Sequence, residues 1–442
     1  MTRSADPPIP PGGSARSPQG RAPGFDNQGE STMTGNRWIV AAALALWASQ
    51  AGAVNGMRMI GFGPVQSAMG GASVGLPLDA ATVITNPAGL SLLDGRVDFG
   101  ITVLDADVRY RAVGAASGQE QTSSRRPTLI PGFGLVVPLG DRLTFGLGGY
   151  GVAGLGVDYP QDLLGGRLYT SYSQLRLAPG VSYEVMPGLS LGVTANIMYA
   201  TLEYSAGGGL GLQPRDGAIS YGGGFTVGAA WRPVEWLTAG LAYESRGWFQ
   251  DFEYEVPAHT IVVDPATGTT ANVGPGVEKL ELDQPDLLTF GVGVRPVAGL
   301  AVAADVQWIR WSQTNGRNQP RLQTDPALTG GMQLDLDWSD QWVLKVGAEY
   351  AAASWLKLRA GYDYGKSPLN ADRALENLAF PAVLEHHVTA GVGLELGRTS
   401  VSVGGTYAPE GKQTGSNLAQ GIAAYETTFT AWTLDVGFAH RF

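Results

Sequence analysis

The chain has 442 residues, a formal net charge of −10, only 15% charged side chains, 64 glycines and no cysteine. It therefore admits neither a disulfide framework nor a thiolate metal site, and its acidic balance argues against a nucleic-acid partner. Eleven tryptophans and 16 tyrosines accompany a mean hydropathy of +0.00, far below that of a helical membrane protein and typical of a barrel wall whose lipid-facing and lumen-facing residues alternate.

In chain order, residues 1–32 are rich in Pro, Gly, Ser and Arg and cannot bury enough apolar surface to fold alone. They read as a disordered extension, or as the product of a start assigned at Met1 instead of Met33. Residues 33–53 read as a signal peptide. Arg37 supplies the positive charge, Trp38 to Trp47 the apolar run, and Ala51-Gly52-Ala53 a small-x-small cleavage site, with cleavage expected after Ala53. The apolar run is half of the roughly 20 residues a spanning helix needs, which weighs against a retained anchor. Any residence in a membrane must then come from strands.

Residues 54–95 do not alternate. Their small residues, Gly61, Gly63, Ala68, Gly70, Gly71, Ala72 and Ser73, permit close packing in a confined space, and Pro87 stops any helix that precedes it. A plug fits this stretch, because a barrel of about 14 strands leaks unless its lumen is filled.

From Arg96 to Phe442 the chain repeats an alternating run, a tight turn, a second run and a longer loop. Val97, Phe99, Ile101 and Val103 open the series, and Leu189 through Tyr199 and Leu300 through Trp308 continue it. The count is about 14 strands, each near the 9–11 residues that cross a bilayer at a tilt. Turns such as Gly140-Asp141 and Pro187-Gly188 alternate with loops at 256–283, 315–340, 367–385 and 409–427. Trp308, Trp342, Trp355, Tyr350, Tyr362 and Tyr364 fall near strand ends, as an interfacial girdle requires. Lys345 and Glu349 interleave one strand, and Lys357, Arg359 and Asp363 the next. On the lipid face at the midplane a Lys or Arg would cost about 2–4 kcal/mol, so these charges point to the lumen, where they can pair across strands.

The last strand, Trp432 to Phe442, places Trp432, Leu434, Val436, Phe438 and Phe442 on one face. Its terminal aromatic residue is the kind of address that barrel-assembly machinery reads. The fold class is all-β, a transmembrane antiparallel barrel with an N-terminal hatch in the lumen, in the outer membrane of a Gram-negative bacterium.

Gly61-Phe62-Gly63, Met69-Gly70-Gly71-Ala72, Asp79-Ala80-Ala81 and Asn86-Pro87-Ala88-Gly89-Leu90 resemble the FadL family of outer-membrane transporters for long-chain fatty acids and other hydrophobic compounds. Phe380-Pro381-Ala382-Val383-Leu384, leading through His386 and His387 into the next strand, is also similar to that family. The resemblance implies a 14-stranded barrel, a mobile hatch held at Asn86, Pro87, Ala88 and Gly89, and a lateral exit at a kink in the third strand. Here that kink would fall on Gly148, Gly149 and Gly151. Glycine within a strand weakens pairing and favours bulges. Leu163, Leu164, Phe380 and Leu384 are apolar loop residues suited to capturing a hydrophobic ligand, although they could equally pack loop against loop.

Gly146-Leu147-Gly148-Gly149-Tyr150-Gly151 satisfies G-x-G-x-x-G but lies within strand alternation with no helix behind it, so it does not mark a dinucleotide site. The four histidines, His259, His386, His387 and His440, show no arranged nucleophile. No enzyme activity, metal or cofactor is expected. The expected function is passive uptake of hydrophobic small molecules, foremost long-chain fatty acids. The alternatives are a diffusion porin for polar solutes and a surface adhesion or structural barrel. Expected partners are the ligand (fatty acid or aromatic hydrocarbon), outer-membrane lipid and lipopolysaccharide, and the assembly machinery through Phe442. A monomer is expected.

Overall fold

The computed structural model describes residues 54–112, 120–125, 127–160, 167–206, 212–256, 258–264, 267–273, 275–317, 322–323, 335–373, 376–417 and 422–442. The 1–32 extension, the signal peptide 33–53, and Leu163 and Leu164 lie outside the described residues.

Fourteen strands form the wall. They are β1 (Arg96–Ala112), β2 (Thr128–Pro138), β3 (Leu143–Tyr159), β4 (Leu168–Met186), β5 (Leu189–Ala206), β6 (Leu212–Val234) and β7 (Leu237–Glu244). Then follow β8 (Leu287–Val297), β9 (Leu300–Ile309), β10 (Gln341–Ala353), β11 (Leu356–Gly365), β12 (His386–Leu396), β13 (Thr399–Asn417) and β14 (Ile422–Arg441). Each strand pairs antiparallel with the next, and β14 returns to β1 from Arg441↔Arg96 to Tyr425↔Ala112. Closure of β14 on β1 leaves neither the first nor the last strand with a free edge, the condition a sheet must meet in hydrocarbon.

The alternation read from the sequence is the alternation of the wall. Phe99, Ile101, Leu191, Val193, Ile197, Leu344, Val392 and Val436 are exposed on the outer face, while their neighbours Thr102, Ser190, Thr194, Lys345 and Asp435 are buried inside. Trp308 and Trp342 sit opposite each other in the ladder and stack with ring centroids 5.9 Å apart. Lys345 faces Asp363 in register, and Glu349 faces Arg359. Both couples form ion pairs, at 3.0 and 2.7 Å.

Three expectations need correction. Strand lengths run from 8 to 23 residues instead of clustering near 9–11, because several hairpins continue beyond the length a bilayer demands. The expected loop 409–427 is mostly strand, with β13 and β14 paired as far as Asn417↔Ile422. Alternation is weak in that stretch because no lipid enforces it there. The expected loop 256–283 likewise holds paired segments, His259–Asp264 with Thr269–Val273 and Phe252–Val256 with Gly276–Leu280.

Residues 54–94 lie inside the wall, as a hairpin of Val54–Asn55 against Arg58–Met59 and the short helices α1 (Gly63–Ala68) and α2 (Thr82–Thr85). A 3₁₀ turn at Pro87–Leu92 follows. As expected, α2 ends at Asn86, immediately before Pro87. The plug approaches the wall backbone to backbone, and wall glycines make this possible. A Cβ on Gly192 of β5 would lie 2.3 Å from the Ala88 nitrogen, one on Gly240 of β7 2.0 Å from the Val74 oxygen, and one on Gly347 of β10 2.3 Å from the Met69 oxygen. Within the plug, Gly70 and Gly71 take φ of +65° and +76°, a region that L-residues avoid.

Replacing Gly347 by Val should therefore displace the plug at a cost of about 1–3 kcal/mol, the range for overpacking a filled interior. We expect a lower midpoint of heat-modified migration together with a steady ion conductance in planar bilayers. Gly223→Ala is the control, because a Cβ there has only the Asn196 oxygen near it, at 3.9 Å. Equal behaviour of the two variants would refute the close-packing account.

Candidate functional site

The plug is held largely through its own backbone. Asp305, on β9, accepts the amide N–H groups of Ser73, Val74 and Gly75 at 2.7, 2.8 and 3.2 Å. Thr389, on β12, accepts from the Gly70 amide and donates to the Ala68 carbonyl, both at 3.0 Å. Asn86 is buried and bridges plug to wall. Its amide nitrogen donates to the Val74 carbonyl and to the Ala229 carbonyl of β6, each at 3.2 Å, and its oxygen accepts from the Ala88 amide at 3.3 Å. The Ala88 carbonyl in turn accepts from Ser182 of β4 at 2.9 Å. Pro87 packs beside Gly192 and Gly228, and Gly89 leaves room for Thr82 and Pro77. The four hatch residues singled out in the sequence thus lie together at the plug–wall contact.

At β3 the wall is interrupted. Among the described residues its ladder with β2 stops at Gly132↔Tyr150. One residue later the pairing with β4 shifts register, from Gly151↔Leu175 to Ala153↔Gln174. Beyond this bulge Val152 to Val157 are buried without a break, so this half of β3 no longer has a lipid-facing side. Its edge is taken by the plug hairpin instead. Arg58 pairs with Ala153, and the Gly154 amide donates to the Met57 carbonyl at 2.9 Å. Of the three glycines named for the kink, Gly151 stands at the bulge. Gly148 and Gly149 precede it in regular pairing with Gly134 and Phe133, where they make room for Val83 and for the Phe133 ring.

An apolar cluster fills the interior on the long-loop side of the plug. It runs without interruption from Phe380, Leu384 and Trp338 in the loops to Leu155, Ala153 and Met57 at the bulge. Phe380 and Leu384 are buried, with relative exposures of 4% and 1%, and do not form an exposed patch. The long loops fold inward, so these side chains line the interior.

Beneath the cluster lies a group that was not singled out in the sequence. Glu244, at the end of β7, receives Arg176 of β4 through both carboxylate oxygens, at 2.8 and 2.5 Å, and Arg58 of the hairpin at 2.9 Å. All three side chains are buried, and the triad carries one positive charge in excess. Among the described residues, Arg58 Nη1 and Arg176 Nε have no hydrogen-bond partner. A signal was present in the sequence: Arg176 stands between Leu175 and Leu177 on the lumen-facing side of the alternation, and an ionisable residue at membrane depth marks a functional site by default.

The sequence matches the family "Outer membrane protein transport protein (OMPP1/FadL/TodX)" over residues 41–442. The chain belongs to that family. It is 24% identical over 388 residues to outer membrane protein P1 of Haemophilus influenzae, an alignment that covers 74% of this chain and 77% of P1. Its fold is similar to that of the P. putida toluene transporter TodX, with TM-score 0.70, 20% identity, and 87% and 99% of the two chains covered. It is also similar to a Pseudomonas aeruginosa FadL homologue, with TM-score 0.67, 16% identity, and 88% and 100% covered. The protein resides in the outer membrane.

On the short-turn side the FadL-family plug encloses a cavity of about 210 Å³ lined by Asp79, Arg96, Asp98 and Arg359, among other residues. Arg96 donates to Asp98 and to the Leu78 carbonyl, both at 2.8 Å, and Asp98 accepts the Ala80 amide at 2.8 Å. Asp79 is therefore held between these groups, with Gln66 donating to it at 3.0 Å. Burial, reinforced by the Asp98 charge, pushes the Asp79 carboxyl up to about 7. The docked plug then binds a proton that the released segment does not bind between about pH 4 and 7. The hold on this loop is fully present at the acid end of that window and weakens as pH rises through 7. Amide-exchange protection of residues 76–82, corrected for intrinsic rates, should fall between pH 5 and pH 7.5 and become flat in Asp79→Asn. The same pH slope in both proteins would refute the assignment.

Proposed function

We propose that this protein takes up hydrophobic small molecules, foremost long-chain fatty acids, by passive diffusion through the plugged barrel, with lateral exit between β2 and β3. The observation that carries this reading is the continuous apolar cluster from the loops to the bulge, which ends where the β2–β3 ladder stops. An apolar chain gains roughly 0.8 kcal/mol per buried CH₂, so such a lining favours its entry. Release into the membrane spares the chain a passage through bulk water. No group in this path requires nucleotide hydrolysis.

Relatives of this fold include toluene transporters from P. putida and Ralstonia pickettii and a FadL homologue. The excess positive charge at Arg58 and Arg176 favours a ligand that carries a carboxylate. Their unpartnered N–H groups can donate to it while the tail lies against Met57, Leu155 and Tyr172. A purely aromatic hydrocarbon would leave those donors as they are.

The test is binding of a radiolabelled long-chain fatty acid to the detergent-folded barrel, with toluene as competitor. Saturable binding that toluene does not displace is expected. Arg176→Met should weaken it about tenfold or more, the loss of one charged hydrogen bond worth about 1.5–3 kcal/mol, without changing toluene affinity. An absence of saturable binding together with a large steady ionic current would instead mark a diffusion porin.

A further inference from the structure

Resting on the transport reading above, we propose that Asp363 is a positioning residue. From the far wall it fixes the plug hairpin in place along the edge of β3 that β2 leaves. The hairpin Val54–Met59 spans the lumen. At one side it pairs with the bulged half of β3 through Met57 and Arg58. At the other it meets β10, β11 and β12. There the Asn55 amide donates to both carboxylate oxygens of Asp363 at 3.1 Å. The same carboxylate takes Lys345 of β10 at 3.0 Å and His387 Nδ1 of β12 at 3.0 Å. Lys345 also donates to the Ile60 carbonyl at 2.8 Å, so the cluster grips the hairpin at its start and just past its end. Asp363 and His387 have no exposed side-chain surface, and Lys345 has 5%. Asn55 rests directly on the wall, with its side-chain oxygen 2.7 Å from where a Cβ on Gly365 would stand.

One buried carboxylate therefore neutralises a lysine and orients an amide and an imidazole at once. Removing its charge takes from the buried Lys345 the carboxylate it is paired with and leaves Asp305, opposite it in the β9–β10 ladder, as the remaining counter-charge, a destabilising change. It also turns an acceptor for Asn55 partly into a donor. The barrel ladder does not depend on this side chain, because β10, β11 and β12 remain paired along their length. The effect falls on the hairpin. Since the Met57 carbonyl is the partner of the Gly154 amide, loosening the hairpin at β11 uncovers the edge of β3 across the lumen.

Hydrogen exchange of the full-length barrel in detergent tests this without any ligand. In Asp363→Asn, residues 54–62 and 151–158 should both exchange at least tenfold faster. Residues 64–90 and the β10–β12 strands should keep their rates. Asn55→Leu, which leaves the wall charges intact, should give the same pattern and serves if Asp363→Asn does not assemble. Unchanged exchange at 54–62 in both variants overturns the proposal. So does a faster hairpin with an unchanged 151–158, and so does a loss of protection across the whole plug. Because no ligand enters the measurement, failure of the transport reading in the binding assay would be seen separately.

Discussion

A backbone amide in hydrocarbon has no solvent to bond to, and that single restriction organises the molecule. It demands a closed ladder, which β14 completes on β1. It also explains why the interruption between β2 and β3 has the form it does. Where β3 leaves β2, its edge is not left bare; the bulge turns it inward and the plug supplies Met57 and Arg58 in place of the missing strand. An opening in a membrane barrel is tolerable only if the exposed amides are covered from within, so the plug and the opening are one structural solution.

The same restriction governs how the lumen is filled. A plug made of backbone and small residues must satisfy its own amides against the wall, and it does so through Asp305, Thr389, Lys345 and Asp363. Wall glycines let the two backbones approach to contact distance. Polar wall residues that would be costly facing lipid thus become the means by which an irregular segment is held at membrane depth. The charges at Lys345, Asp363, Arg359 and Glu349 pair within the wall, and some of them also extend to the plug.

Strand alternation was legible because lipid enforces period two without exception along each membrane-facing run. The start of the first wall strand was legible because that alternation is absent until Arg96. Strand ends were not, since beyond the bilayer β13 and β14 pair through backbone hydrogen bonds that carry no side-chain signature. Burial of Phe380 and Leu384 depended on loops folding inward, a long-range event that composition does not record. The Arg58–Glu244–Arg176 triad brings together residues from the plug, β7 and β4, far apart in sequence; only Arg176, a charge set between two leucines of a wall strand, gave local notice of it. Gly148, Gly149 and Gly151 stood out in the sequence as one group, but only the register with β4 separates Gly151 at the bulge from Gly148 and Gly149 before it.

The plug enters β1 with only Gly95 between Asp94 and Arg96. The partner that closes the barrel on β1 is β14, the last strand made. An inner segment joined so directly to the first strand is most simply seated before the final strand seals the cylinder, since afterwards the ring of paired strands surrounds it. Assembly thus has a built-in order, with the interior furnished first and the seam closed last. A copy that seals with its plug misplaced would be caught in that state by the same ladder that makes the finished barrel durable.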